Sequence, residues 1–316
     1  MWKYILRRLL LMIPVLLGVT FIVFMLLHAV PGDPAVNVLG ATSTEEQRYE
    51  WREERGLNAP VLVQYVRYVK QIVIDHDFGR SYSGNRKIGE EIANRFPVSF
   101  RLAIYALIIN VIFGTLIGIV SAIKRYTAVD NITMFLALLL VSMPGFWLGL
   151  ELSIIFALKL RILPASGLYG FKYYILPVVS MALGGLASTA RMTRSCMLDV
   201  INADYIVTAK AKGASVGKIV FHHELRNALI PVITGIGGAA AHMMGGSTIT
   251  EIVFSIPGMG SYLMTAINAR DYPVVLAIVL VLSAVTSIVL LITDLCYAAV
   301  DPRIRAEFAG KGKKGR

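Results

Sequence analysis

Six long apolar runs dominate this sequence, and each is long enough for a helix to cross a lipid bilayer. They cover roughly residues 9–30, 98–122, 132–158, 174–192, 228–250 and 274–299. About 20 apolar residues in a helix span the roughly 30 Å hydrocarbon layer. Because lipid cannot hydrogen-bond a bare backbone, runs of this length favour transmembrane helices. The sequence therefore predicts an all-α membrane protein with six transmembrane helices.

The distribution of positive charge predicts how these helices are oriented. The chain has a formal charge of +11, and its Lys and Arg residues lie mainly in short segments beside the apolar runs. We predict the cytoplasmic segments to be residues 1–8, 123–131, 191–227 and 300–316, and these segments are far richer in Lys and Arg than the short loops 159–173 and 251–273. The positive-inside rule then makes both termini cytoplasmic. We interpret the charge as topology beside membrane lipid, and no nucleic-acid partner is expected.

These runs divide the chain into four parts. We predict an N-terminal cytoplasmic segment and first span over residues 1–30, and an extracytoplasmic loop with short helices over 31–97. A five-span core over 98–299 contains a cytoplasmic loop at 193–227, and a basic cytoplasmic tail covers 300–316.

Two short helices are predicted inside the loop 31–97. The segment Ser43–Glu46 has the pattern of a capping box, and Gly56 is placed to end the helix that it begins. Pro60 is suited to open a second helix. Helical spacing predicts one buried face on that second helix, formed by Val61, Tyr65, Val69 and Ile72.

Several kinds of chemistry lack their residue patterns in this sequence. No phosphate-binding Gly-x-x-x-x-Gly-Lys-Ser/Thr loop occurs, so ATP and Mg are expected on partner subunits, with no cofactor bound by this chain. Neither a metalloprotease motif nor a Ser/His/Asp set occurs at sensible spacing, which argues against an enzyme or a receptor with a catalytic output. Cys196 and Cys296 form no CxxC pair, so neither a disulfide nor a metal site is expected.

The segment Asp204–Pro231 is basic and rich in small residues, and it lies in the largest predicted cytoplasmic loop. Tyr205 to Lys212 are helix-forming residues, and Gly213 is the residue type most often found just past a helix end. The small side chains of Ala209 and Ala211 would let another surface approach the helix backbone. We interpret the segment as a docking element, although a solvated connector between two spans fits the same residues.

Motifs spread over nearly the whole chain resemble a known family. They are Pro31-Gly32-Asp33-Pro34, Arg95-Phe96-Pro97, Ser142–Trp147, Leu163–Gly167, Asp204-Tyr205, Thr208–Gly213, Arg226–Pro231, Gly245-Gly246-Ser247, Glu251, Phe254, Pro257–Gly260 and Arg270–Pro273. In this order, on six spans, they resemble the permease subunits of bacterial dipeptide and oligopeptide ABC importers. The resemblance implies a type I ABC importer permease fold in the bacterial cytoplasmic (inner) membrane.

The same resemblance implies roles for individual residues. The coupling helix of such permeases, which fits a groove on the ATP-binding subunit, corresponds here to Tyr205, Thr208, Ala209, Lys210, Ala211, Lys212 and Gly213. Val207 and Thr208 replace the Glu and first Ala of the general Glu-Ala-Ala pattern, and Pro231 departs from its usual spacing. Both departures are similar to the peptide-importer variant, but they leave open which side chain contacts the ATPase most closely.

The implied partners are a second homologous permease subunit, two ATP-binding subunits and an extracytoplasmic solute-binding protein. The implied function is ATP-driven uptake of di- or oligopeptides by alternating access. Relatives with these motifs carry nickel chelates, glutathione or oligosaccharides, and the sequence does not separate these substrates. An ion-coupled secondary transporter would predict inverted repeats and acidic pairs in the membrane, and neither is seen.

Two ionisable residues fall near the middle of predicted spans, Glu151 in the third and His242 in the fifth. Such residues are costly in lipid and need a partner or water. One interpretation is a structural role, with Glu151 paired or neutral inside the bundle. The alternative is that one or both residues line the translocation path and favour a peptide amino group or a cationic side chain.

Overall fold

The computed structural model describes residues 2–300 of the chain. The predicted basic tail, apart from residue 300, lies outside the described residues. The helices are α1 (Trp2–Ala29), α2 (Pro34–Leu39), α3 (Glu45–Glu54), α4 (Val61–Ile74), α5 (Ile88–Ile109), α6 (Thr115–Ile123), α7 (Ala128–Ser142), α8 (Gly145–Ser153), α9 (Phe171–Ile201), α10 (Asp204–Ala211), α11 (Val216–Lys218), α12 (Leu225–Gly246), α13 (Thr248–Val253), α14 (Met259–Ala269) and α15 (Tyr272–Val300). Three π-helical stretches, Asn110–Gly114, Ile154–Lys159 and Ile219–Glu224, continue α5, α8 and α11.

Within residues 2–300, five continuous helical stretches are long and apolar enough to cross a membrane, and a sixth is broken. The continuous ones are Tyr4–Ala29, Ile88–Ile123, Phe171–Ile201, Asn227–Gly245 and Tyr272–Tyr297. The sixth consists of Ala128–Ser142 and Gly145–Lys159, which meet at a bend of 102°. The prediction of an all-α protein with six spans is thus confirmed if the broken pair counts as one span.

The bend corrects the prediction of a single third span over 132–158. Pro144 has no backbone N–H, and Met143 before it is extended, with φ −87° and ψ 134°. A residue before proline is disfavoured in the helical region, so the helix ends there and a new one starts at Gly145.

Two other spans are longer than their apolar runs. The second begins at Ile88, so the last ten residues of the predicted loop 31–97 belong to α5, and Pro97 lies inside this helix rather than before it. The fourth runs on to Ile201, past Arg191 and Arg194. Charged side chains at helix ends lower the hydropathy of a span without ending the helix.

Long-range contacts show which segments lie at each end of the helix bundle. At the N-terminal end the Tyr4 hydroxyl donates to Asp294 at 3.1 Å, and Arg125 donates to Asn202 at 3.2 Å. At the opposite end the Gly167 N–H donates to the Phe254 carbonyl at 3.0 Å. The helix α12 runs antiparallel to both α9 and α15, since Gly235 lies at Met192 and Gly237 at Thr293. Segments 2–8, 124–130 and 202–224 therefore share one end, as the predicted topology requires.

Asp130 and Arg194 form a nearly buried ion pair at the N-terminal end. Arg194 Nε lies 2.6 Å from one carboxylate oxygen of Asp130, and Nη2 lies 2.7 Å from the other. The Ser121 hydroxyl and the Tyr126 N–H donate to the same carboxylate. The Asp130 side chain is only 1% exposed. This pair joins α6, α7 and α9.

The glycines of the fourth and fifth spans have two kinds of surroundings, a neighbouring helix or open space. An added Cβ on Gly235 would lie 2.4 Å from Met192 Sδ, and one on Gly237 would lie 2.0 Å from Thr293 Cγ2. These two positions allow the close approach that small residues permit between membrane helices. Gly184 and Gly238, by contrast, have nothing within 4 Å of an added Cβ. They face open space instead of another helix.

The short helices between α1 and α5 follow the predicted pattern with a one-residue shift. The capping box of α3 is made by Thr44 and Gln47, not by Ser43 and Glu46, since Gln47 donates its N–H to the Thr44 hydroxyl and accepts from the Thr44 N–H. The helix α4 starts directly after Pro60 as predicted. Its predicted buried face is only half-buried at Tyr65, Val69 and Ile72, and Val61 is exposed.

Candidate coupling surface and membrane cavity

The short helix α10 projects from the N-terminal end of the bundle and ends in a Schellman motif. The Ala214 N–H donates to the Ala209 carbonyl at 3.2 Å, and the Gly213 N–H donates to the Lys210 carbonyl at 3.0 Å. Gly213 has φ +75°, a conformation that costs an L side chain roughly 1–2 kcal/mol. The helix end expected at Gly213 is therefore fixed by backbone geometry.

One side of α10 is anchored and the other side is open. Ile206 is fully buried, and the helix packs on the π-helical stretch Ile219–Glu224. Most of the predicted coupling residues are exposed, and Ala209 is half-buried; the exposed set is Tyr205, Thr208, Lys210, Ala211, Lys212 and Gly213. Tyr205, Thr208, Ala209, Lys212 and Gly213 share the wall of one concavity of 640 Å³. A rigid, exposed and concave surface of this kind can receive a protruding side chain of another subunit.

Glu224 is a buried carboxylate next to α10 that the sequence did not single out. Its residue is only 4% exposed, and it ends the π-helical stretch on which α10 packs. Burial raises the pKa of the Glu224 carboxyl, and the charge of Lys210 opposes this rise. Within the sequence, a glutamate beside two histidines in a basic loop gave no sign that it would be buried.

A second concavity, of 670 Å³, opens on the side of the bundle and is lined by His242, which is exposed in this chain. Its walls come from α9, α12 and the break between α7 and α8, including Met143, Pro144, Gly184 and Gly238. The absent side chains of Gly184 and Gly238 leave this space open. The broken third span contributes directly to the cavity, because its bend turns residues 143–146 toward α9 and α12.

Glu151 does not line this cavity. It lies in α8, is half-buried, and does not belong to the residues that surround the space at His242. The structure therefore does not bring the two ionisable residues together around this cavity.

At the opposite end, Glu251 connects three parts of the chain. The hydroxyls of Ser99 and Ser247 each donate to Glu251 Oε1 at 2.7 Å, and the Ser261 N–H donates to Oε2 at 2.9 Å. Glu251 is fully buried. A short turn over residues 254–258 separates α13, which carries Glu251, from α14.

A nearby junction joins two predicted motifs. The Asp271 carboxylate accepts from the Ser81 hydroxyl at 2.5 Å and from the Tyr82 N–H at 3.1 Å. The guanidinium of the adjacent Arg270 lies directly over Gly32. Motifs far apart in the sequence therefore form one structural unit at this end.

Comparison with known proteins places this architecture in a family. Residues 114–306 match the model of the binding-protein-dependent transport system inner membrane component, and residues 1–103 match the N-terminal model of the same transport system membrane component. The dipeptide transport system permease protein DppB of Alkalihalophilus pseudofirmus is 40% identical, with 96% of this chain and 100% of the relative aligned. The DppB protein of Bacillus subtilis is 38% identical over 98% of this chain and 100% of the relative.

A relative with another substrate is equally similar. The glutathione transport system permease protein GsiC of Salmonella paratyphi A is 41% identical, with 96% of this chain and 99% of the relative aligned. Family models thus cover most of the chain, and these relatives align over 96–98% of it. The chain is a multi-pass membrane protein that belongs to the family of binding-protein-dependent transport system inner membrane components.

Proposed function

We propose that this chain is one permease subunit of an ATP-driven importer that takes up di- or oligopeptides across the cytoplasmic membrane. It would pair with a second homologous permease, two ATP-binding subunits and an extracytoplasmic solute-binding protein. The chain itself is non-catalytic in this proposal, and ATP and Mg are held by the ATP-binding subunits. The dipeptide permeases among its full-length relatives support the substrate class.

The observation that carries this proposal is the exposed, rigidly ended helix α10. It projects at the same end as both described chain ends, where the charge distribution predicts the cytoplasm. Closure of the ATP-binding subunits would pull on α10, and its packing on Ile219–Glu224 would pass the motion to α12. Rigid-body movement of this kind is the usual basis of alternating access.

The cavity at His242 is the proposed translocation path within this subunit. It borders the break in the third span and is widened by Gly184 and Gly238. His242 lines the cavity, and Glu151 lies apart from it on α8. The proposal keeps both as candidate path residues, and substrate competition profiles of His242→Ala and Glu151→Gln separate their roles. Unchanged selectivity in both variants would remove them from the path.

The coupling role is tested by Gly213→Val with Gly217→Val as the matched control. Both glycines are exposed, lie in the same loop and have nothing within 4 Å of an added Cβ. Only Gly213 has a positive φ and lines the concavity beside α10. We expect Gly213→Val to insert in the membrane yet lose substrate-stimulated ATP hydrolysis in the assembled complex, while Gly217→Val retains it. Full coupled hydrolysis in Gly213→Val would contradict the proposal.

Glutathione uptake is the second candidate function, because a glutathione permease is as similar to the chain as the dipeptide permeases are. Glutathione is itself a tripeptide, so the same path would accept it. Transport of radiolabelled dialanine and of glutathione by the complete complex, each competed with an excess of the other, separates the two. Uptake of glutathione that dialanine does not inhibit would favour this second function.

A further inference from the structure

A cavity of 220 Å³ lies at the end of the bundle opposite α10, between α1, α4 and the start of α15. Three arginines line it, Arg55, Arg67 and Arg80, and no Asp or Glu is among its lining residues. Apolar side chains, among them Phe24 and Leu276, also line it. The cavity therefore combines concentrated positive charge with apolar surface.

The three guanidinium groups have few carboxylate partners of their own. Arg55 stacks on Trp51 at 4.2 Å and lies 3.2 Å from Glu54, an exposed residue. Arg80 donates to the backbone carbonyl of Asn85 at 3.1 Å. Among the described residues, no carboxylate lies within salt-bridge distance of Arg67 or Arg80. Positive charge at the cavity is thus left largely uncompensated, which favours an anionic ligand.

A buried donor at the same cavity also lacks a partner. The Tyr68 hydroxyl is buried and has no hydrogen-bond partner among the described residues. Burial raises the pKa of Tyr68, so its hydroxyl keeps its proton at physiological pH and remains a donor. A buried donor without an acceptor is unusual in a folded protein. An acceptor oxygen entering the cavity would satisfy it.

The cavity meets α1 at Phe24 and His28, in the last two turns before the span ends at Ala29, so it lies close to lipid-headgroup depth. The Tyr65 hydroxyl donates to the Leu17 carbonyl at 2.8 Å, and the Tyr65 ring lies 5.1 Å from Phe21. Leu17 is well inside the membrane-spanning part of α1, so α4 lies alongside the span. On α4, the side chains of Leu62, Val66, Val73 and Ile74 are each more than 60% exposed. Such an amphipathic helix fits the membrane interface, where phosphate groups of lipids are abundant.

We propose that this cavity binds the phosphate group of an anionic phospholipid, with Arg55, Arg67, Arg80 and Tyr68 as its ligands. The acyl chains would follow the exposed apolar side of α4 and α1. The lipid site rests on the proposed function only for the choice of leaflet. The orientation that function requires places the bound lipid in the outer leaflet. Inorganic phosphate offers the same ligand chemistry without acyl chains, so it serves as the comparison.

The test is native mass spectrometry of the assembled, detergent-purified complex titrated with short-chain phosphatidylglycerol, phosphatidylcholine or inorganic phosphate. Wild type is expected to bind phosphatidylglycerol saturably and more tightly than the other two. Each of Arg67→Gln and Arg80→Gln should weaken this binding by roughly tenfold or more, since each removes a charge-assisted hydrogen bond. Lys70→Gln is the matched control, because Lys70 is an exposed cation on α4 that does not line the cavity.

Equal affinity for phosphatidylglycerol in wild type and in both arginine variants would overturn the proposal. Inorganic phosphate binding as tightly as the lipid, with the same loss in the variants, would overturn the lipid assignment. Thermal unfolding of each variant without added lipid shows whether that variant is folded. Arg67 and Arg80 lie on separate elements, so one variant still tests the proposal if the other is misfolded. Lipid binding is measured without transport, so its failure is distinguishable from failure of the proposed function.

Discussion

The guanidinium of Arg270 lies directly against the α-carbon of Gly32, joining the loop after α1 to the turn before α15. A Cβ built on Gly32 would be 2.0 Å from Arg270 Nη1 and 2.1 Å from its Cζ. Gly32 also has φ +134°, which L side chains rarely adopt. The two residues therefore fit together only because position 32 has no side chain.

Gly32→Ala is expected to destabilise the protein, because Arg270 must leave its place and the backbone is strained. The matched control is Gly40→Ala, since Gly40 also has a positive φ, of +89°, but nothing within 4 Å of an added Cβ. Both variants carry backbone strain, and Gly32→Ala should cost about 1–3 kcal/mol more through overpacking. Thermal unfolding in detergent measures this difference. Equal midpoints for the two variants would show that the contact with Arg270 contributes nothing.

Asp130→Asn should be among the most destabilising single changes in the bundle. The substitution leaves Arg194 without its carboxylate at a place where the Asp130 side chain is only 1% exposed. Removing one partner of a buried pair costs about 3–5 kcal/mol, and the partial exposure of Arg194 places this pair near the lower value. A double-mutant cycle with Arg194→Gln measures the coupling between them.

The control for that cycle is the pair Arg8 and Asp294, which also joins two spans at 2.8 Å but is 49% and 35% exposed. Exposed pairs contribute about 0–1 kcal/mol. Asp294→Asn should therefore lower the unfolding midpoint much less than Asp130→Asn. Similar effects of the two changes would mean that burial does not decide the strength of these pairs.

Glu251→Gln is expected to loosen the junction of α5, α13 and α14. The carboxylate accepts from two hydroxyls and one backbone N–H, whereas an amide offers one acceptor oxygen and turns its NH₂ group toward another donor. The loss should be about 1–3 kcal/mol, the cost of leaving a buried donor unpaired. Hydrogen exchange of the segment from Phe254 to Ser261 measures the local effect. Unchanged protection there would show that the serines find other acceptors.

The sequence predicts the spans of this fold well and their internal breaks poorly. Apolar length alone locates the membrane helices, because lipid tolerates few polar residues. It does not reveal the bend at Pro144, since a Met-Pro-Gly sequence is nearly as apolar as the helices on either side. The extension of α5 back to Ile88 is also missed, but for the opposite reason. That first part of the helix is polar and packs on other elements rather than on lipid, so apolar length does not detect it.

The candidate sites show a similar division. Local chemistry predicts the end of α10 at Gly213, because the Schellman motif depends on residues close in sequence. The contacts of Glu251 and of Asp130 come from residues distant in the chain, so no local pattern indicates them. Its polarity within an apolar run made His242 a candidate residue of the translocation path. The cavity beside it depends on the packing of α8, α9 and α12, which the sequence does not reveal.

Glu224 is expected to make the stability of the N-terminal end depend on pH. Burial raises the pKa of its carboxyl above the ordinary value of 4.5, so the folded state favours the protonated form. The resulting stabilisation is fully present below the unfolded pKa and is lost as the pH rises through the folded pKa. Glu224→Gln has a neutral side chain at every pH, so it does not lose this stability as the pH rises. Its unfolding midpoint should therefore rise relative to wild type as the pH increases from about 4 to 8.

The matched control is Asp204→Asn, which neutralises an exposed carboxylate on α10. An exposed carboxylate is not penalised by burial, so this variant should show no comparable rise with pH. The measurement is the thermal unfolding midpoint of wild type, Glu224→Gln and Asp204→Asn across that pH range. A constant difference between Glu224→Gln and wild type would mean that the carboxyl has the same pKa in the folded and unfolded states, with the charge of Lys210 fully offsetting burial. A difference that falls as the pH rises would mean that Lys210 outweighs burial and that Glu224 is held as an ion pair.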